Sequence, residues 1–155
     1  MERRNLLAGA AAAFGGFFAV KTAQAAPSTP DKSKVVYHLC DLDKVSFVLG
    51  NIQNHFDGVG GPDKVTIALV VHGPALKSFH AVSASPDIKG RMAGFARTVQ
   101  LAACGNTMKS QNVTVKDLLP GFVAVNEGGV VRIAELQSQG YVLSLIHISE
   151  PTRPY

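Results

Sequence analysis

Three short segments of this 155-residue chain carry side chains that commonly do chemistry in proteins. Each follows a run of apolar residues: first Cys40-Asp41-Leu42-Asp43, then His72-Gly73-Pro74, and finally Cys104-Gly105-Asn106-Thr107. A thiol near an imidazole or a carboxylate is suited to nucleophilic attack and to proton transfer. The residue types therefore point to chemistry centred on a cysteine.

Cys104 is the strongest single candidate. It lies where an apolar run meets the small-residue turn "CGNT", just before a short predicted helix. The amides and dipole at a helix N-terminus lower the pKa of a thiol and favour the reactive thiolate. Two alternatives stay open: an inert buried cysteine, and a disulfide between Cys40 and Cys104. The disulfide requires the two Cα atoms to lie within about 7 Å.

The histidines divide into one candidate and several residues with other expected roles. His72 directly follows "ALVV" and precedes Gly-Pro, which predicts a place on a crevice floor where it could tune a thiol. A hydrogen-bonded structural role is equally open for it. His38 lies within a strand pattern and is predicted to be structural. His55 and His80, near predicted helix ends, are expected at the surface or in an interface.

Metal and nucleotide sites find no support in the motifs. The chain has no CxxC, no HExxH and no suitably spaced His/Cys cluster. The segment "GVGGP" does not open a helix after a strand, as a phosphate-binding loop would. Asp41 and Asp43 could simply cap the first helix. We therefore predict neither a metal nor a cofactor.

Strand and helix patterns alternate along the part of the chain that must position these residues. Apolar, β-branched runs predict strands at 34–39, 64–73 and 98–104, with further strands beginning at "FVAV" and "YV". Helical patterns cover 43–57, parts of 74–97 with a start at Pro86-Asp87, "NTMKSQ", and 126–140 ending at Gly140. Repeated β-then-α units predict an α/β layered domain with a mainly parallel sheet.

Two of the predicted helices have an assigned apolar side. In the first it comprises Val45, Phe47, Val48, Ile52 and Phe56. In the last it comprises Val130, Ile133, Ala134 and Gln137. The apolar residues near "LLPGF", namely Leu118, Leu119 and Phe122, suit either a subunit contact or the core.

Ligands of open parallel sheets bind beyond the carboxyl ends of the strands, where the three segments lie. If the strand order is 2-1-3-4-5, the first and third strands are neighbours. Cys40 and Cys104 would then share one edge of the crevice.

The first 25 residues have the layout of an export signal. Arg3-Arg4 precedes an apolar stretch from Leu6 to Val20, and the small-residue site Ala23-Gln24-Ala25 follows. The paired arginines resemble a twin-arginine signal, with a general secretory signal as the alternative. A polar leader, 26–33, would connect it to a domain spanning 34–142. We expect the mature protein in a bacterial periplasm, with no membrane segment after cleavage.

The last 13 residues, 143–155, resemble the translation of a transposase-type sequencing adapter. They follow "VVRIAELQSQGYV" without a turn signal, and they show neither helical nor strand periodicity. We therefore expect the natural gene to be truncated near Val142 and the remainder to be an assembly scar, and His147 is given no functional role. The alternative is a real disordered tail.

Charge and composition limit the classes of molecule that this protein is expected to bind. The whole chain carries a formal net charge of +4, but residues 26–142 hold eleven basic and nine acidic side chains, or about +2. They contain no Lys/Arg cluster interleaved with aromatic residues, so we predict no nucleic-acid partner. With 46% hydrophobic residues, the chain is expected to form a packed core.

Four segments of the domain resemble the DsrE/DsrF-like family, the sulfur-relay proteins related to the TusBCD components. They are "YHLCDLDKVSFVLGNIQNH", "KVTIALVVHGPALKSFH", "VQLAACGNTMK" and "DLLPGFVAVNEGGVVRIAELQSQGY". The resemblance covers most of 34–142. It implies a flavodoxin-like three-layer domain with a five-stranded sheet, whose last strand is cut short here. It also implies assembly as a homotrimer or homohexamer.

The resemblance implies a role for Cys104 as the thiol that accepts sulfane sulfur as a persulfide. The amides of Asn106 and Thr107, together with His72, would stabilise the anionic persulfide, and Cys40 and Asp41 would lie beside the substrate. Donor and acceptor proteins would be the partners. Two alternatives remain: an oligomeric protein of this fold that binds a small ligand without catalysis, and a dithiol redox protein that uses both cysteines.

Overall fold

Strands and helices alternate along residues 32–144, the part of the chain that the computed structural model describes. The strands are β1 Ser33–Leu39, β2 Val65–Val71, β3 Val99–Cys104, β4 Phe122–Val125 and β5 Val142–Ser144. The α-helices are α1 Val45–Val59, α2 Pro86–Phe95, α3 Gly105–Ser110 and α4 Gly129–Ser138. Short 3-10 segments cover Leu42–Lys44, Gly73–Phe79 and Val115–Asp117. The predicted export signal, most of the polar leader and His147 lie outside the described residues.

The five strands form one parallel sheet in the order β4-β3-β2-β1-β5. This confirms the predicted α/β class with a flavodoxin-like, parallel five-stranded sheet. The strand order 2-1-3-4-5 is wrong, because β2 lies between β1 and β3. The most continuous apolar run takes the centre of the sheet: from Ile67 to Val71 no residue is more than 1% exposed.

Helices cover both faces of the sheet, as expected for three layers. One face packs against α1, α2 and the Gly73–Phe79 segment, and we call it the α1 face. The other, the α4 face, packs against Ile133 and Leu136 of α4. Because side chains alternate along a strand, Leu69 and Val71 of β2 lie on the α1 face, whereas Val70 lies on the α4 face.

The helix faces differ in part from the predicted ones. In α1 the side chain of Phe47 is 56% exposed, and Leu49 takes its place in the core. In α4 only Ile133 of the four predicted residues is buried, and Val130 is 69% exposed. Neighbouring residues on a helix are about 100° apart around its axis. A small rotation of the helix about this axis therefore changes which residues face the core. The predicted core alternative holds for Leu118, Leu119 and Phe122, all of which are buried.

Local signals fix the helix ends where the sequence places them. The Ser85 side chain accepts a hydrogen bond from the amide of Ile88, and Pro86 occupies the first position of α2. Gly140, with a φ of 87°, follows α4 and allows the amide of Tyr141 to reach the Leu136 carbonyl.

Strand β5 extends two residues into the segment that resembles an adapter. Val142, Leu143 and Ser144 pair with Val35, Val36 and Tyr37 of β1. Strand pairing is made by backbone groups, so it places few demands on the side chains of these residues. Within 32–144, no helix is long and apolar enough to span a membrane.

Candidate functional site

The carboxyl ends of three adjacent strands bring Cys40, His72 and Cys104 to one edge of the sheet. They follow β1, β2 and β3, so His72 lies in the middle. Val71 pairs with Ala103, which makes His72 and Cys104 side-by-side neighbours on the α4 face. The predicted convergence of the three segments therefore occurs, with the histidine rather than the second cysteine beside Cys104.

The Cys104 thiol lies among backbone amides from two helix N-termini. Burial raises its pKa, but the amides of Thr107, Gly129 and Asn106 and the Thr107 hydroxyl outweigh burial and hold the pKa below its usual value. The Cys104 side chain makes no capping hydrogen bond at this helix end. The surrounding N–H and O–H donors favour the thiolate over the thiol. With 6% of the residue exposed, only small groups can reach it.

Glycines allow these backbones to approach. A Cβ on Gly105 would lie 2.9 Å from the Val125 carbonyl oxygen and 3.0 Å from the Cα of Asn126. A Cβ on Gly129 would lie 3.4 Å from the Cβ of Cys104 and 3.5 Å from that of His72. Gly129 therefore packs against both residues, and its amide becomes available to the sulfur.

The sequence pattern places "NEGG" within the last predicted helix, but in the structure this turn completes the site. It follows β4, the strand next to β3, and Gly128 has a φ of 104° that favours glycine. A Gly-Gly pair between a buried strand and a helix is a signal that could have identified it.

Thr107 is held in place by the β2 turn. Its Oγ1 accepts a hydrogen bond from the amide of Gly73 at 2.9 Å, which leaves the hydroxyl proton free to point to Cys104. The Gly73 carbonyl in turn accepts from Gln111 at 2.9 Å, and Gln111 contacts His80. The hydroxyl is therefore aimed by a fixed network rather than by its own rotamer preference.

His38 contacts His72, although its strand pattern predicts a purely structural role. Their Nε2 atoms are hydrogen-bond partners. Burial lowers the pKa of both imidazoles; the other ring lowers that of His38 further, and the charge of Asp41 opposes the shift in both. Two-residue spacing from Val36 puts His38 on the α4 face, but only the strand order shows that His72 is its neighbour.

Cys40 and Asp41 lie at the far side of His72 from Cys104. Cys40 is half-buried beside Gly73, and burial followed by the charge of Asp41 raises the pKa of its thiol. Both cysteines are free. Two inter-strand spacings separate their strands by about 10 Å, more than a disulfide spans. Asp41 is exposed and makes no side-chain capping bond.

The remaining predicted residues have structural partners or lie at the rim. Asn106 is exposed, and it acts on Cys104 through its backbone N–H rather than through its side chain. His55 is half-buried and bonds through Nδ1 to the Tyr37 hydroxyl at 2.9 Å, and His80 bonds to Gln111. No group of three or more His, Cys, Asp or Glu residues in 32–144 could hold a metal ion.

Replacing Thr107 with valine is expected to raise the pH at which Cys104 becomes reactive by about one to two units. A hydrogen bond to a charged group contributes about 1.5–3 kcal/mol, and one pKa unit corresponds to about 1.4 kcal/mol. The measurement is the rate of Cys104 modification by methyl methanethiolsulfonate against pH, followed by peptide mass mapping. Thr107→Ser keeps the hydroxyl and should match the wild type. An unchanged profile for the valine variant would contradict the role of this hydroxyl.

Comparison with known proteins supports the fold. No protein-family model matches the chain, and no curated protein sequence matches it. Among solved structures, MTH1491 from Methanobacterium thermoautotrophicum, a protein of unknown function, superposes with a TM-score of 0.63 and 23% sequence identity. The match covers 72% of this chain and 97% of that one. At this identity the likeness shows a shared α/β fold.

Proposed function

We propose that this protein is a sulfur carrier that holds sulfane sulfur as a persulfide on Cys104. The observation that carries the proposal is the position of Cys104 directly before α3 and against Gly129, the first residue of α4, where backbone amides of both helices lower the pKa of the thiol. The resemblance of its sequence to sulfur-relay proteins supports the same role. We further propose that it acts in the periplasm as a homotrimer or homohexamer, between a donor and an acceptor protein.

The transfer step uses the chain's own thiolate and needs no oxidant. The Cys104 thiolate attacks the terminal sulfur of a donor persulfide, a new S–S bond forms, and the donor's S–S bond breaks. The donor leaves as a thiolate, and Cys104 carries the additional sulfur. Attack by an acceptor thiolate on that outer sulfur releases it again and restores the Cys104 thiolate.

The same amides suit both states of the carrier. A thiolate and an anionic persulfide each place negative charge near the N-termini of α3 and α4. The N–H groups there have no partners within the helix and favour an anion. The small exposed fraction of Cys104 admits a terminal sulfur atom while limiting contact with bulkier electrophiles. The site thus favours holding sulfur over losing it to solvent.

The test is the intact mass of the protein after exposure to a persulfide donor. We expect a gain of one sulfur atom, located on Cys104 by peptide mapping and removed by a reductant. If no sulfur is gained while Cys104 still reacts with a small alkylating reagent, the proposal is wrong.

A second candidate function is the binding of a small ligand in the open groove between α4 and the β3–β4 strands. The groove has a volume of about 560 Å³ and is lined by Ala102, Val123 and Leu136, with Arg132 and Glu135 at its side. That volume falls within the usual range for ligand sites. A small molecule retained in native mass spectra, and unaffected by Cys104→Ser, would favour this function. The separation of Cys40 and Cys104 gives no support to the dithiol alternative.

A further inference from the structure

Two histidines from adjacent strands meet through their Nε2 atoms beside Cys104. The ring centroids of His38 and His72 lie 4.5 Å apart, and the ring planes are 7° from parallel. Rings stacked face to face keep their atoms a van der Waals distance apart, whereas these Nε2 atoms are hydrogen-bond partners. The rings therefore lie edge to edge in nearly one plane, as an N–H···N bond requires.

This contact fixes how many protons the pair can carry. Of the two Nε2 atoms, one donates and the other accepts, so a single proton lies between them. The accepting ring carries its own proton on Nδ1, and the donating ring leaves its Nδ1 bare. One additional proton fits on that bare nitrogen. A second would place N–H groups on both Nε2 atoms and break the bond, so the pair titrates as one unit.

Cys104 is the neighbour of the pair on the next strand, β3. His72 and Cys104 flank the Gly129 Cα on neighbouring strands, and α4 presents only backbone at that point. From the β1 turn, the charge of Asp41 acts on both rings and favours their protonated forms. Burial and the charge of Asp41 raise the pKa of the Cys40 thiol, which makes it a weaker proton donor to the pair.

We propose that His38 and His72 form one proton-accepting unit for the Cys104 thiol, with His38 acting as a positioning residue. The inference rests on the proposed function for the role of Cys104. In the step, the S–H bond breaks, the electron pair stays on sulfur, and the proton forms an N–H bond at the free ring nitrogen of the unit. The product is a thiolate–imidazolium pair. It keeps a fraction of Cys104 as the reactive thiolate at pH values below the pKa of the isolated thiol.

The test is the pH profile of Cys104 modification by methyl methanethiolsulfonate in the full chain, comparing the wild type with His38→Gln. At about pH 6 the variant should react about threefold to tenfold more slowly, which corresponds to a rise of about half a unit to one unit in the pKa of the thiol. Above about pH 9, where the thiol ionises unaided, the rates should converge. A disturbed structure would instead change the rate at every pH.

His55→Gln is the matched control, because His55 is also half-buried and hydrogen bonded but contacts Tyr37, which packs in the core of the α1 face. Its profile should equal that of the wild type. An unchanged His38→Gln profile, or a loss independent of pH, would overturn the inference.

A measurement on the wild type alone keeps the inference testable if His38→Gln fails to fold. In a nitrogen-detected NMR titration, one of the two rings should take up a proton while the other stays neutral. Two independent titrations near the ordinary value of about 6.5 would overturn the proposal. Neither experiment uses a persulfide, so their failure is distinguishable from a failure of sulfur loading.

Discussion

Cys104→Ser is expected to abolish sulfur loading and to leave the fold intact. A hydroxyl in this position stays protonated at neutral pH and cannot replace the thiolate as nucleophile. Serine has nearly the shape of cysteine, and its hydroxyl would lie in the same surroundings, next to the amides of Thr107 and Gly129. We therefore expect a change of about 0.5–3 kcal/mol in the free energy of unfolding, which is the range of an ordinary single mutation and smaller than the stability of a typical domain. Intact mass after treatment with a persulfide donor measures the loading, and urea denaturation measures the stability.

Cys40→Ser is the matched control for this result. It removes the other free thiol of residues 32–144, which lies beyond β2 and has a raised pKa. This variant should load one sulfur as the wild type does. Loading retained in Cys104→Ser, or lost in Cys40→Ser, would move the sulfur site away from the amides that carry the proposal.

The largest effect on stability is expected for Gly105→Ala. The added methyl group would meet the Val125 carbonyl oxygen and the Asn126 Cα, both of which belong to backbone and cannot rotate away. Overpacking of this kind destabilises by about 1–3 kcal/mol. Relief of the clash moves β4 away from β3, and with it the turn that presents Gly129. Urea denaturation should show the lower stability, and the pH midpoint of Cys104 modification should rise.

Gly90→Ala provides the comparison for a glycine that packs against nothing. Gly90 lies within α2, is exposed, and has no heavy atom within 4 Å of an added Cβ. Alanine in a helix interior is more stable than glycine by about 0.5–1 kcal/mol. This variant should gain stability and leave Cys104 unchanged. Similar effects in the two variants would show that Gly105 is not confined by its neighbours.

Both expected results depend on one feature of the site, which is that its donors are mostly backbone. The amides of Asn106, Thr107 and Gly129 keep their direction whatever side chains those positions carry. Sensitivity to mutation should therefore concentrate at the sulfur itself, at the Thr107 hydroxyl, and at the glycines that let the backbones approach.

The sequence by itself determined the alternation of strands and helices and the position of Cys104 at the end of a buried strand. These features are local. The continuous apolar run of β2 predicts a strand buried on both faces, Ser85-Pro86 starts a helix, and Gly140 ends one. Hydrophobic periodicity and helix capping depend on residues that are close together in the chain. They can therefore be recognised before any tertiary contact is known.

The tertiary structure alone decided which of these residues meet. Strand order depends on how the apolar faces pack, and it placed His72 instead of Cys40 beside Cys104. It also brought His38 to His72, and the Gly129 amide to a sulfur 25 positions away in the chain. Local patterns carry no information on such contacts, because the energy that selects them comes from burial between elements distant in sequence.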